Sequence, residues 1–241
     1  MRMNDLLQGA YSLLFPAACV TCRNPIENSR LAPLCPACAK ALPRSRTPWC
    51  QKCGRSLAGL GAGIVRCADC SRNRVFFDQA ISPCPYEGSA KELVVALKYQ
   101  GRLSVAPFLG GLLAETVRQR LGSDPADAVV PVPLHSTRLR ERTFNQAQVL
   151  GQELARRLNL PCWKHLLVRR NATPPQTDLP REERLRNVAE AFAIQPNPFL
   201  RSMRILLVDD VLTTGATASA CAKLLKTAGA ASVIVVTAVQ D

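Results

Sequence analysis

The sequence is poor in aromatic residues and in acidic residues. Aromatic side chains make up 5% of the 241 residues, so no platform for stacking the bases of a nucleic-acid strand is evident. Asp and Glu total 18 against 31 Lys and Arg, which leaves a formal net charge of +13. Most of the basic residues are Arg, the side chain best suited to bidentate contact with phosphate. The charge therefore favours an anionic partner, although a solvated basic surface has the same composition.

Long apolar runs are also lacking. No stretch approaches the roughly 18 residues that span a bilayer, and we expect no membrane span. Polar residues interrupt the apolar stretch from Leu6 to Phe15, so this stretch predicts a short amphipathic helix rather than a signal peptide. We expect a cytoplasmic protein whose globular core is built from the 47% of residues that are hydrophobic.

Eight of the eleven cysteines form four C-x-x-C pairs within residues 19–70. This spacing lets two thiolates bind one tetrahedral ion, as in zinc ribbons. Disulfides or an iron–sulfur cluster are the alternatives, and a cross-braced pairing of the cysteine pairs stays open. We predict two structural zinc sites, one with Cys19, Cys22, Cys35 and Cys38 and one with Cys50, Cys53, Cys67 and Cys70. The isolated Cys84, Cys162 and Cys221 are interpreted as packed side chains.

The remaining sequence alternates between apolar strands and helical periods. We therefore predict an α/β fold in which helices flank a parallel sheet. The chain divides into a small zinc-ribbon module, residues 1–75, and an α/β domain, residues 76–241. The predicted strands are 76–81, 128–132, 166–168, 204–208 and 232–239, and the predicted helices are 90–98, 103–121, 143–158 and 216–225.

Residues 205–217 join a buried strand to a helix through two acidic residues and a Thr-Thr-Gly-x-Thr stretch. A helix N-terminus offers free N–H groups to a phosphate, and Gly215 allows the backbone to approach it closely. Asp209 and Asp210 can accept hydrogen bonds from ribose hydroxyls or hold Mg²⁺ through water. An ordinary helix cap is the alternative. A Walker A loop is excluded, because no Gly-Lys-Ser/Thr follows.

This stretch resembles the phosphoribosyl-diphosphate (PRPP) binding motif of type I phosphoribosyltransferases. With the cysteine pairs upstream, the chain resembles the ComF family, which includes ComFC and GntX-type proteins. The resemblance runs nearly end to end and covers Leu14-Phe15-Pro16, residues 96–101, Pro131-Val132-Pro133-Leu134, Phe144-Asn145-Gln146-Ala147, Gln176, Arg184, Asn187, Ala191 and Phe192. One departure is Thr143, where the family usually has glycine.

The resemblance implies a type I phosphoribosyltransferase-like domain and a set of site residues. Asp209 and Asp210 are the expected catalytic residues. The expected phosphate-binding residues are Val211, Leu212, Thr213, Thr214, Gly215, Ala216 and Thr217, with Arg138, Arg142, Asn145 and Gln146 on the diphosphate side. The expected lid loop carries Arg169, Gln176, Arg184 and Asn187.

Three functions fit these residues. The first is transfer of the phosphoribosyl group from PRPP, with Mg²⁺, to an unidentified nitrogen acceptor. The second is binding or processing of single-stranded DNA by the same loop and the basic surface, without PRPP turnover. The third is a regulator that senses PRPP. The family is linked to natural transformation, so DNA and DNA-uptake proteins are the partners that the resemblance implies.

Overall fold

The computed structural model describes residues 18–26, 32–61, 63–170 and 191–241. The amphipathic helix expected from Leu6 to Phe15 lies outside the described residues. So do Gln176, Arg184 and Asn187 of the expected lid loop. In the part of the chain that is described, no helix is long and apolar enough to cross a membrane.

The α/β part consists of short elements of both types in alternation. After helices α1 (Pro36–Lys40) and α2 (Ala68–Arg72), the elements in chain order are β1 (Gln79–Ile81), β2 (Cys84–Pro85), α3 (Gly88–Tyr99), α4 (Val105–Leu121), β3 (Ala128–Pro131), α5 (Ser136–Arg142), α6 (Gln146–Leu158), β4 (Leu167–Arg169), β5 (Phe192–Ile194), a 3-10 turn (Pro198–Leu200), β6 (Arg204–Leu212), α7 (Ala216–Thr227) and β7 (Ser232–Gln240).

The main sheet is parallel, as predicted. Its order is β1-β7-β6-β3, and β2 continues the edge by pairing with the far end of β7. Strands β4 and β5 form a separate antiparallel pair. Strand β6 pairs with β3 on one side and with β7 on the other, and both pairings are parallel. The carboxyl ends of the three strands therefore lie along one edge of the sheet. Parallel α/β sheets bind their ligands at this edge.

The side chains of β6 point alternately into two hydrophobic cores, one on each face of the sheet. Leu206 and Val208 pack with α3, α4 and α6 on one face, whereas Ile205 and Leu207 pack with α7 and the β4–β5 pair on the other. The period of two is that of a strand covered on both faces. The first four-cysteine region also contributes to the first core, through the buried side chains of Val20, Ile26, Leu34 and Leu42.

Several element boundaries differ from the sequence prediction, and one helix was not predicted. Strand β6 does not end at Val208 but continues to Leu212, because β7 runs alongside it and Leu212 pairs with Gln240. The helix predicted from residue 143 begins at Gln146, where the side chain of Asn145 accepts a hydrogen bond from the N–H of Ala147. The arginine-rich stretch before it, for which no element was predicted, contains helix α5.

Candidate functional site

Two four-sulfur clusters hold the eight paired cysteines. Cys19, Cys22, Cys35 and Cys38 form one cluster, and Cys50, Cys53, Cys67 and Cys70 form the other, with the sulfur atoms of each cluster all within 4.8 Å of one another. The grouping is the sequential one, and the cross-braced alternative is not adopted. Four thiolate donors at tetrahedral spacing fit a closed structural zinc site.

Backbone N–H groups support the sulfur atoms in the same way in both clusters. The N–H of Cys35 donates to Cys19 Sγ at 3.3 Å, and the N–H of Cys67 donates to Cys50 Sγ at 3.3 Å. Although burial opposes the shift, backbone hydrogen bonds lower the pKa of Cys19 to about 6 and that of Cys50 to about 7. The thiolate is the form of cysteine that binds zinc, and these lowered pKa values favour it at neutral pH. The repeated geometry supports one zinc ion in each cluster.

The second cluster is anchored to the sheet by hydrogen bonds. The N–H of Ala80 in β1 donates to the carbonyl of Lys52 at 2.8 Å, and Gln240 Nε2 at the end of β7 donates to the carbonyl of Cys53 at 2.9 Å. A Cβ on Gly54 would lie 2.5 Å from the Ala80 oxygen, so only glycine permits this approach. The cluster therefore covers the outer edge of the parallel sheet.

The loop between β6 and α7 forms a pocket at the carboxyl edge of the sheet. Asp209 and residues 211–218 line it. Gly215 adopts a left-handed conformation at φ 73° immediately before α7. The direction in which a side chain would project from Gly215 is toward the buried ring of Phe77. A helix N-terminus presents its first N–H groups outward, and here the neighbouring Thr213 and Thr214 are exposed beside it. The arrangement suits a bound phosphate.

The two acidic residues lie within β6 rather than beyond its end. Asp209 pairs with Thr237 of β7, and Asp210 is 8% exposed. Asp209 Oδ1 accepts the N–H of Asp210 at 2.8 Å, while Asp210 Oδ1 lies 2.8 Å from Lys98 Nζ. Carboxylate oxygens can accept hydrogen bonds from ribose hydroxyls, and they can also coordinate Mg²⁺. Because one oxygen of each residue already has a partner, the pair retains only part of its acceptor capacity.

Burial and the charge of Asp210 raise the pKa of Asp209 to about 7. The N–H of Asp210 and the cations Lys98 and Arg169 act in the opposite direction. A group with a raised pKa beside a pocket is typical of functional sites.

The diphosphate side that was expected from the resemblance is built by α5 and the start of α6. Arg142 donates to Gln146 Oε1 at 3.2 Å, and Asn145 Nδ2 donates to the carbonyl of Val132 at 3.0 Å, which fixes the start of α6 to the end of β3. Arg138 is exposed. Thr143 lies between the two helices at φ 66°, in the left-handed conformation that glycine adopts without strain.

Arg169 is the last residue of β4. Its guanidinium lies 5.2 Å from the ring centre of Phe192, and it interacts electrostatically with Arg138 and Asp209. Desolvation lowers its pKa, and the positive charge of Arg138 adds to this effect. Of the four expected lid residues, Arg169 is the one within the described chain.

Lys98 is a site residue to which the sequence analysis assigned no role. It lies in the last turn of α3, in the Ala-Leu-Lys-Tyr-Gln-Gly stretch on which the family resemblance partly rests. A lysine near a glycine-terminated helix end is common in proteins, and the local pattern does not say which carboxylate it meets. The sequence shows a lysine at the end of this helix, but it does not show that the lysine pairs with Asp210.

The isolated cysteines pack inside the protein, and His135 caps a helix. Cys84 and Cys221 are buried in the two cores, Cys162 is partly buried, and burial raises the pKa of all three thiols. His135 caps α5 by accepting the N–H of Thr137 through Nδ1. The three cysteines are therefore packed side chains, as the sequence indicated, and His135 is a capping residue.

Family models match both parts of the chain. The model described as a double zinc ribbon domain matches residues 10–71, and the model described as a phosphoribosyl transferase domain matches residues 145–241. The matches agree with the two cysteine clusters and with the β6–α7 pocket.

Curated relatives align over nearly the full length. The DNA utilization protein YhgH of Salmonella typhi is 33% identical, over 92% of this chain and 96% of that protein. Competence protein F of Haemophilus influenzae is 30% identical, over 89% of this chain and 93% of that protein. Among solved structures, a purine phosphoribosyltransferase from Pyrococcus horikoshii Ot3 aligns with a TM-score of 0.35 and 17% identity, over 54% of this chain and 68% of that one.

Proposed function

This chain belongs to the ComF family, in which a double zinc ribbon accompanies a phosphoribosyltransferase domain, and from that premise we propose that it binds PRPP at the β6–α7 pocket. The observation that carries the proposal is the junction itself. A helix N-terminus, a left-handed Gly215 and a partly buried acidic pair meet at the carboxyl edge of a parallel sheet. We also propose the division into residues 1–75 and 76–241.

Each part of PRPP has a complementary group in this proposal. Residues 213–217 take the 5′-phosphate through backbone N–H and threonine hydroxyl donors. The carboxylates of Asp209 and Asp210 accept hydrogen bonds from the ribose hydroxyls. Arg138 and Arg142 attract the diphosphate, with Asn145 and Gln146 fixing the position of their helix. When bound, Mg²⁺ neutralises part of the diphosphate charge.

Phosphoribosyl transfer is the reaction that this arrangement favours. A nitrogen nucleophile would form a bond to ribose C1 while the bond from C1 to diphosphate oxygen breaks, and the diphosphate would leave with the electron pair. No protein nucleophile is required, because positioning and charge stabilisation lower the barrier. Arg169 and the lid residues Gln176, Arg184 and Asn187 are proposed to exclude water from the positively charged ribose.

Calorimetric titration of the zinc-loaded protein with PRPP and Mg²⁺ tests the binding proposal. Wild-type protein is expected to bind, and the double variant Asp209→Asn with Asp210→Asn is expected to lose at least about tenfold in affinity. Asp124→Asn is the matched control, since it removes an exposed carboxylate at the opposite end of the sheet, where Asp124 pairs with Arg204. Failure of the folded wild type to bind PRPP would reject the proposal.

Binding of single-stranded DNA is the second candidate, and the charge favours it. Two zinc sites of net charge −2 each lower the formal charge from +13 to +9, which is still strongly basic. The names of the relatives, DNA utilization protein and competence protein, point to the same class of partner. Fluorescence anisotropy with a labelled single strand at two salt concentrations tests it, because phosphate contacts produce a steep loss of affinity with salt. No binding at low salt would exclude this candidate.

A further inference from the structure

The proposed phosphate loop, residues 213–217, is held at its start by the end of β7. Leu212 is the last residue of β6, lines the pocket and pairs with Gln240. The N–H of Asp241 donates to the carbonyl of Leu212 at 3.0 Å. The position of the loop therefore depends on the position of the last residues of β7.

The side chain of Gln240 connects this strand end to the second cysteine cluster. Gln240 is 7% exposed, and its Nε2 donates to the carbonyl of Cys53 at 2.9 Å. Cys53 is one of the four cysteines of the cluster. Removal of the amide would leave the Cys53 carbonyl without this partner in a place that is largely withdrawn from water. One side chain thus joins the backbone of a zinc-binding residue to the strand end beside Leu212.

A second connection runs from the same cluster to the other end of the loop. The carbonyl of Lys52 accepts the N–H of Ala80 in β1 at 2.8 Å, and the Lys52 ammonium lies 5.7 Å from the ring centre of Phe77. The buried Phe77 ring lies 3.5 Å from the point where a Cβ on Gly215 would be. Contacts from the second cluster therefore reach both ends of the loop.

The backbone of a four-cysteine site keeps its folded geometry through the bound metal. We propose that the second zinc cluster positions the phosphate loop, and that Gln240 is the positioning residue that links the two. Zinc at the cluster and a phosphorylated ligand at the loop then favour each other's binding, and thermodynamic linkage makes this effect reciprocal. The inference rests on the proposed PRPP site.

Calorimetric titration of zinc-loaded Gln240→Met with PRPP and Mg²⁺ tests the link. Methionine keeps the length of the side chain but has no N–H donor. PRPP affinity is expected to fall about fivefold or more, because a loop that has lost its support must be ordered on binding. Gln119→Met is the matched control. It removes a glutamine that donates to Glu115 Oε1 at 3.2 Å on the exposed surface of α4, and it should leave PRPP affinity unchanged.

Zinc release separates this role from general support of the fold. A chelating dye takes up the zinc of both clusters, and saturating PRPP is expected to slow the release of one of the two ions by about fivefold or more in wild type. The other ion is the internal control. In Gln240→Met, saturating PRPP should leave both release rates nearly unchanged. A glutamine that only stabilised the fold would not remove this dependence on PRPP.

Hydrogen exchange of the ligand-free proteins tests the link without PRPP. The amides of residues 213–217 are expected to exchange at least about threefold faster in Gln240→Met, whereas those of residues 205–208 within β6 should not change. Gln240→Asn, which keeps the amide on a shorter side chain, should change in the same direction and replaces Gln240→Met if that variant does not fold.

Wild-type loop exchange and wild-type PRPP affinity in the folded Gln240 variants would overturn the inference. If wild-type protein binds no PRPP, the proposed function fails, and the exchange of residues 213–217 alone decides whether Gln240 positions the loop.

Discussion

Asp209 Oδ1 accepts the backbone N–H of Asp210 at 2.8 Å, which holds the Asp209 carboxylate against the backbone of its own strand. This contact favours ionised Asp209, whereas burial and the charge of Asp210 oppose ionisation and prevail. The folded protein thus maintains an arrangement that is unfavourable for its own stability. Such a cost is typical of positions that are kept for binding.

Asp209→Asn is expected to stabilise the ligand-free protein above neutral pH. The folded-state pKa of Asp209 is raised above its ordinary value of 3.8 to about 7, so the folded protein retains a proton that the unfolded chain has lost. The free energy of unfolding of wild type therefore falls as pH rises from about 4 to about 7. Asparagine keeps the oxygen that accepts the Asp210 N–H but removes the charge.

Thermal unfolding at pH 4.5 and pH 8 measures this effect. The melting temperature of Asp209→Asn relative to wild type should rise between the two pH values by about 3 °C or more. Asp124→Asn, with an exposed side chain, should show no comparable change between the two. A variant that is destabilised equally at both pH values would contradict the assignment.

Gly215→Ala is expected to lower both stability and PRPP affinity. A Cβ at this position would meet Phe77 Cε1 at 3.5 Å, an ordinary contact, so the strain arises from the backbone at φ 73° and costs about 1–2 kcal/mol. Gly122→Ala has a steeper backbone cost, because Gly122 lies at φ 84° and ψ −164°, and the added Cβ would meet no atoms within 4 Å. Denaturant unfolding should show a loss of stability in both variants, and calorimetry should show weaker PRPP binding in Gly215→Ala alone. Equal PRPP affinity in the two variants would argue against a phosphate at this loop.

Thr143→Gly is expected to stabilise the protein by about 0.5–1 kcal/mol. Thr143 is β-branched and adopts φ 66°, a conformation that glycine reaches without steric cost. The gain is limited, since the hydroxyl of Thr143 donates to the carbonyl of Arg142 and glycine is more flexible in the unfolded chain. Asn159→Gly, at φ 56°, is the comparison, and its stability should change less because asparagine tolerates this region. Urea unfolding of the three proteins gives the result, and a destabilised Thr143→Gly would show that the hydroxyl contact outweighs the strain.

Cys53→Ser is expected to remove one zinc ion and to destabilise the sheet edge. The carbonyls of Lys52 and Cys53 accept hydrogen bonds from Ala80 and Gln240, so an unfolded second cluster would leave β1 and the end of β7 without these partners. Metal analysis should find about one zinc per chain in place of two. Cys162→Ser should keep both zinc ions. Unchanged zinc content in Cys53→Ser would contradict the four-cysteine assignment.

The order of elements was largely predictable, because it depends on local patterns. The apolar runs at residues 205–208 and 232–239 and the helical period of residues 103–121 were identified by side-chain spacing alone. Strand β5 was missed, since Phe192–Ile194 is three residues long and is stabilised by pairing with Leu167–Arg169, which the local sequence does not reveal. Helix α5 has no buried residue and so no apolar face to detect.

The sequence by itself determined the chemistry of the protein: four C-x-x-C pairs for zinc, and two acids followed by a threonine- and glycine-rich helix start. These depend on residue types within a few positions of one another, which chain geometry brings together without help from the rest of the fold. Only the tertiary structure decided how the cysteine pairs are grouped, how far β6 continues past Asp209, and which side chain meets Asp210. Those relationships depend on the packing of α3 and β7 against β6, elements distant in sequence, so no local pattern contains them.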